Sequence, residues 1–250
     1  MASMLQRWSG PLLALPGLLG IALIALQAPG ERSTTAWWLL TSGLFVERVV
    51  PLIGLGVTLS LLARWQSWAA IGMFLLGTVI GFEIRPWFMS VLTGVPRAAD
   101  HLFLTGPLSN VAAGLLLIAP QRARAWLFAP ITLSLGAMLA VAIGLTNPTI
   151  DDLLIPCLGM AVGIWIVWVI ALTVSAFRHP WFPIAARIVG SWLLAAGLLY
   201  GSASFVPRPA PPPQPLPEPP QQAPLKGFGN GSPGIELNPG TTPKPVGPHV

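Results

Sequence analysis

Glu47 and Arg48 stand side by side inside an apolar run that covers residues 37–62. A carboxylate at the centre of a hydrocarbon layer costs about 2.5–3.5 kcal/mol on insertion scales and must find a partner. Arg48 does not supply one by adjacency, because neighbouring side chains on a helix project about 100° apart. Two readings are open. The pair is an ion or proton site inside the membrane, or it is an interfacial pair at the head of a shorter span beginning near Val49. Pro51 lacks an N–H and permits a bend in the same run.

Other polar positions extend the set. Glu83 and Arg85, in Gly81-Phe82-Glu83-Ile84-Arg85-Pro86, close the third apolar run. Asp100-His101 stands at the mouth of the fourth run and offers oxygen and nitrogen donors, where a metal site usually takes three or four ligands. Asn110 belongs to Thr105-Gly106-Pro107-Leu108-Ser109-Asn110, which breaks the start of that run. Such a pattern suits a half-helix whose N-terminus faces a cavity, or a cap in which Ser109 or Thr105 satisfies free N–H groups. Asn147-Pro148 and Asp151-Asp152 read as a turn and a helix cap. The expected metal contacts are Asp100 and His101, and the expected polar or ion pathway is Glu47, Arg48, Glu83 and Asn110.

Enzyme chemistry has no foothold. The chain carries no HExxH, no phosphate-cradling glycine loop, no CxxC and no serine with a histidine at membrane depth. Ser191 in Gly190-Ser191-Trp192 has no base beside it and reads as small-residue helix packing. A single cysteine, Cys157, excludes an internal disulfide and a Cys-rich metal site. His101, His179 and His249 lie outside the apolar centres, so a haem held between helices lacks ligands, and no cofactor is expected. The net charge of +5 comes without a basic stripe, which excludes nucleic acid as a partner.

The elements that must position these residues are seven long apolar runs, near residues 10–28, 37–62, 67–84, 103–119, 126–145, 153–177 and 184–205. Most reach the ~20 residues that cross a hydrocarbon core about 30 Å thick. With 54% hydrophobic residues, 8% charged residues and a mean hydropathy of +0.72, the composition predicts an all-α, polytopic membrane bundle of about seven spans. The first run resembles a signal peptide in its Arg7 and apolar core. Leu26 and Pro29 spoil the cleavage pattern, so a retained helix is expected.

With a cytoplasmic N-terminus, the inner segments hold Arg7, Arg64, Arg122, Arg124, Arg178 and Arg187, against Arg32, Arg85 and Arg97 outside. That asymmetry fits the positive-inside rule, makes the cell membrane the expected location and leaves the C-terminus periplasmic or extracellular. Trp8, Trp37, Trp38, Trp65, Trp68, Trp87, Trp126 and Trp181 fall near span ends and read as an interfacial belt. Trp165, Trp168 and Trp192 lie within spans and read as packing or lipid-facing groups.

Residues 206–250 are rich in Pro and Gly and poor in apolar groups, which predicts a disordered tail with polyproline II stretches. The helical part, residues 1–205, also echoes itself. Glu47-x-x-x-Pro51-x-x-Gly54 resembles Asp152-x-x-x-Pro156-x-x-Gly159, which suggests a duplication of residues 8–86 as 104–205. An odd number of spans in the first copy would invert the second.

His179-Pro180-Trp181 followed by Arg187-Ile188-Val189-Gly190-Ser191-Trp192 resembles the C-terminal helix of the HupE/UreJ family, and the stretch from Val46-Glu47 to Gly81-Phe82-Glu83 is similar to its central helices. The resemblance covers about a third of the chain. It implies a small polytopic accessory protein, of a family in which some members are thought to import nickel or cobalt. The family's metal-associated pattern sets a histidine ahead of an Asp-His; here Asp100-His101 is present and Gly94 holds the histidine's place.

The function expected from all this is a permease-like membrane protein for a divalent transition-metal ion. The alternative is a non-catalytic scaffold or assembly subunit that docks through its external tail. Expected partners are the lipid bilayer, a protein bound to the tail and further copies of the chain.

Overall fold

The computed structural model describes residues 2–28, 30–93, 105–149, 153–177 and 179–203. All the helices below lie in one compact unit, Met1–Pro207. They are α1 Ala2–Leu26, α2 Thr34–Trp38 with a π turn Leu39–Gly43 running on from it, α3 Val46–Leu61, α4 Arg64–Thr93, α5 Thr105–Ile118, α6 Gln121–Thr146, α7 Leu154–Ala176 and α8 Phe182–Ala203. Among the described residues there is no strand.

Each apolar run has become helical, but not in the same way. Among the described residues five helices are long and apolar enough to cross a membrane: α1 (over Trp8–Leu26), α4 (over Arg64–Phe88), α6, α7 and α8. The second run is broken, and its two parts, Thr34–Gly43 and Val46–Leu61, meet at 70°. The fourth is short. The 14 residues of α5 make about 21 Å of helix, against a core of about 30 Å. The architecture is that of an all-helical, multi-pass membrane protein.

The break is not at Pro51, which lies inside α3 without splitting it. It comes earlier, where the helix first widens and then stops. The Leu44 N–H reaches back five residues to the Leu39 carbonyl, and Phe45 is extended at φ −63°, ψ 137°. α3 then opens on Phe45, whose carbonyl accepts from the N–H groups of Arg48 and Val49.

Side-chain neighbours fix the helix directions. Gly54 and Gly56 of α3 face Ala113 on α5 and Val167 on α7, and these three helices run in one direction. α4 and α6 run parallel to each other, with Gly81 against Ala137 and Gly144 against Arg85. α8 runs against α5, with Gly114 at Gly190 and Gly197 at Pro107; α1 runs against α7, with Gly10 at Thr173. The segments therefore alternate along the chain. The echoing stretches of α3 and α7 point the same way, an arrangement that an inverted repeat does not produce.

The closest packing is between α4 and α6. A Cβ on Gly77 would run into the Leu133 carbonyl, one on Gly136 into the Phe74 carbonyl, and one on Gly81 would stand 2.5 Å from the Ala137 oxygen. Gly77-x-x-x-Gly81 is the small-residue spacing that lets two membrane helices touch backbone to backbone.

At one end of this pair, Arg124 of α6 is buried. It donates from Nε to the Leu116 carbonyl at 2.9 Å, and from Nη2 to Leu117 at 2.9 Å and Ala119 at 3.0 Å. These are the carbonyls that the end of α5 leaves without helical partners. Arg32 does the same for the end of α1, through the carbonyls of Ala25 and Gln27.

Of the eight tryptophans assigned to the interfacial belt, Trp38 is elsewhere. It is fully buried, its Nε1 donates to Thr146 Oγ1 at 3.2 Å, and its ring packs on Gly159. A tryptophan between a helix break and the end of another helix finds both an apolar seat and an acceptor there. The other seven are exposed on the bundle surface. Trp165 donates to the Leu13 carbonyl and seats α1, Trp168 packs on Trp68 at 5.3 Å, and Trp192 faces outward. The tail and its expected disorder lie outside the described residues.

Candidate functional site

A cavity of about 360 Å³ opens where the second apolar run breaks. Its walls come from three places: the bend (Thr41, Ser42, Phe45) with the first turns of α3, the start of α5 (Thr105, Gly106, Ser109), and the last three turns of α6 from Leu135 to Thr146. Two helices begin at this cavity and one ends there. The break exists because Gly43 and Phe45 end one helix just before Val46 starts the next, and that gap is what leaves the space.

Glu47 and Arg48 both line the cavity and are both half-buried. The Arg48 guanidinium is held on the α6 side. Nη1 donates to the Ser42 carbonyl at 2.9 Å, and Nη2 to the Ala142 carbonyl at 2.8 Å and to Thr146 Oγ1 at 2.9 Å. It thereby sits against the last turn of α6, where a positive charge is favoured. Glu47 turns the other way, towards α5. A Cβ on Gly106 would stand 3.0 Å from Glu47 Oε2, so glycine is what allows the carboxylate to lie over the first turn of α5. Among the described residues no group donates a hydrogen bond to that carboxylate.

Three of the hydroxyls around the cavity spend their protons on their own helices. Thr41 Oγ1 donates to the Trp37 carbonyl, Ser109 Oγ to Thr105, and Thr146 Oγ1 to Ala142. Ser109 thus bonds back along its own helix instead of capping free N–H groups. Thr146 Oγ1 already accepts from Trp38 and Arg48, so the lone pairs offered to the cavity are those of Thr41 and Ser109. Around these groups the wall is apolar, with Leu52, Leu135, Leu139 and Leu145 on it.

The structure brings Glu47 and Arg48 to one cavity and leaves Glu83 and Asn110 off its wall. Glu83 is exposed on α4, away from the cavity. Asn110 follows the cavity-lining Ser109 but is itself buried in the bundle, and its Oδ1 accepts no hydrogen bond among the described residues. Asp100, His101, Asp151 and Asp152 lie outside the described residues. Asn147 makes a local turn, its Oδ1 accepting from the Thr149 N–H at 3.0 Å. Among the described residues no three His, Cys, Asp or Glu side chains converge as a metal site would require.

The α6 wall and the buried Trp38 and Arg124 carry no local signal that sets them apart. Met138, Thr146 and their neighbours read in sequence as one more apolar run. Only their pairing with the break, about 100 residues away, makes them part of a site.

The chain matches no protein-family model, no curated protein and no solved structure. Its class rests on the helices alone, and that class is a polytopic helical membrane protein.

Proposed function

We propose that this protein is a permease-like carrier whose substrate is taken up in the cavity at the α2–α3 break. The observation that carries the reading is the cavity itself. It combines an interrupted span, two helix starts and two opposite charges on a largely apolar wall. Broken helices near membrane depth are tolerated where they line a cavity, and carriers commonly place their sites at such breaks.

Orientation follows from charge. Arg64, Arg122, Arg124 and Arg187 gather at the bundle end away from the cavity, which the positive-inside rule assigns to the cytoplasm. The cavity then faces outward. Leu153→Cys in a Cys157→Ser background should be labelled by an impermeant maleimide on intact cells, and Gln121→Cys only after lysis. The reverse pattern overturns the orientation.

Transport is tested with purified protein in proteoliposomes, using a radiolabelled amino-acid mixture and radiolabelled nickel as separate probes. Uptake of one of them that Met138→Trp abolishes by filling the cavity supports the reading. Uptake that Met138→Trp leaves unchanged overturns the cavity as the route. Absence of uptake of either probe, with a protein that co-purifies only when residues 210–250 are present, replaces it with the scaffold reading.

A further inference from the structure

We propose that the cavity binds a small zwitterion with an aliphatic body, of the chemistry of a branched amino acid. The inference rests on the cavity being a substrate pocket and names the class of substrate.

Two opposite charges share one cavity wall, near enough to attract each other but with no hydrogen bond between them. All the hydrogen bonds of Arg48 go to Ser42, Ala142 and Thr146, and none to Glu47. Those bonds use three of the five guanidinium N–H groups, leaving two for a ligand. The Glu47 carboxylate has no described donor at all. A purely cationic ligand satisfies Glu47 and is repelled by Arg48, and a carboxylate alone meets the reverse difficulty. A bare divalent ion finds one carboxylate where it wants several hard ligands.

A zwitterion satisfies both walls and adds no net charge to a low-dielectric site, so it avoids the desolvation penalty of an unpaired ion. The hydroxyl lone pairs of Thr41 and Ser109 add acceptors that suit an ammonium group. The leucine-lined wall takes the aliphatic part. A volume of about 360 Å³ lies within the range of small-molecule pockets, which are mostly apolar with a few fixed polar groups.

The test is a matched series. Leucine, isopentylamine (leucine without its carboxylate), isocaproate (leucine without its amine) and nickel chloride are titrated against the full chain. The protein is held in phosphatidylglycerol nanodiscs, where no zwitterionic headgroup competes, and thermal unfolding is read. Leucine should bind at least about tenfold more tightly than either half-analogue, as expected for one further charge-assisted contact. Glu47→Gln should lower leucine affinity by a similar factor and strengthen isocaproate binding, since it removes the charge that repels a lone carboxylate. Met138→Trp should abolish the leucine response with both charges intact.

The proposal is overturned by a half-analogue that binds as tightly as leucine, by a response to nickel alone, or by no response to any probe. It is also overturned by a Glu47→Gln protein of native elution and melting that binds leucine like the wild type. A leucine response lost in phosphatidylethanolamine nanodiscs keeps the chemistry and makes the lipid headgroup its source. Leucine binding without vesicle uptake leaves the zwitterion site standing and removes the carrier reading. Nickel uptake blocked by Met138→Trp, without leucine binding, does the opposite.

Discussion

Gly72 and Gly77 lie on the same helix, five residues apart, and alanine should act on them in opposite directions. Gly72 has nothing within 4 Å of where a Cβ would stand. Alanine there relieves the helix of glycine's excess backbone freedom and should stabilise by about 0.5–1 kcal/mol. At Gly77 the same methyl meets the Leu133 carbonyl, its carbon and its Cα, all backbone atoms that no rotamer change can move. α4 and α6 must separate, and overpacking of this kind costs about 1–3 kcal/mol.

The upper part of that range applies because Gly136 and Gly81 approach the same seam just as closely. A gap of about 1 Å there forfeits a quarter to a half of each dispersion contact along it. Set against the gain in helix propensity, Gly77→Ala should destabilise by about 2 kcal/mol. It should therefore stand about 3 kcal/mol below Gly72→Ala. Reversible unfolding of both variants in one detergent, followed by tryptophan fluorescence, measures that difference. If Gly77→Ala proves as stable as Gly72→Ala, the backbone contact between α4 and α6 is wrong.

Arg124→Met should destabilise by about 2–4 kcal/mol in the same assay, since three carbonyls lose a charged donor, and Arg124→Lys should recover only part because it lacks the planar fork. Trp38→Phe removes one hydrogen bond while keeping most of the ring in place and should cost about 1 kcal/mol. Thr146→Val removes the acceptor shared by Trp38 and Arg48 and should cost about 2 kcal/mol. The double variant should fall short of the sum by about 1 kcal/mol, and strict additivity would deny that the three residues form one network.

The helical architecture was legible because lipid leaves a chain few alternatives: apolar runs of span length must satisfy their own amides. Glu47 and Arg48 were legible for the same reason, being charges in such a run. Pro51 misled because proline is the usual signal for a bend, whereas this one comes from a glycine-ended π turn and an extended phenylalanine, residues with no comparable signature. The contact face Gly77-x-x-x-Gly81 and its partner on α6 were not picked out, since many small residues in these runs are equally spaced. Trp38 reads as an interfacial residue by type. Only the long-range proximity of Thr146 and Gly159 makes it a core residue.

The α5 terminus bears on how the protein is built. A helix this brief is a poor candidate for leaving the translocation machinery by itself, and the guanidinium that closes its last turn belongs to the segment made immediately afterwards. The two must therefore partition into lipid as a hairpin. The lengthwise seam with α4 can close only once that hairpin has arrived, so the half-site on the bend waits, open, for roughly a hundred more residues of synthesis.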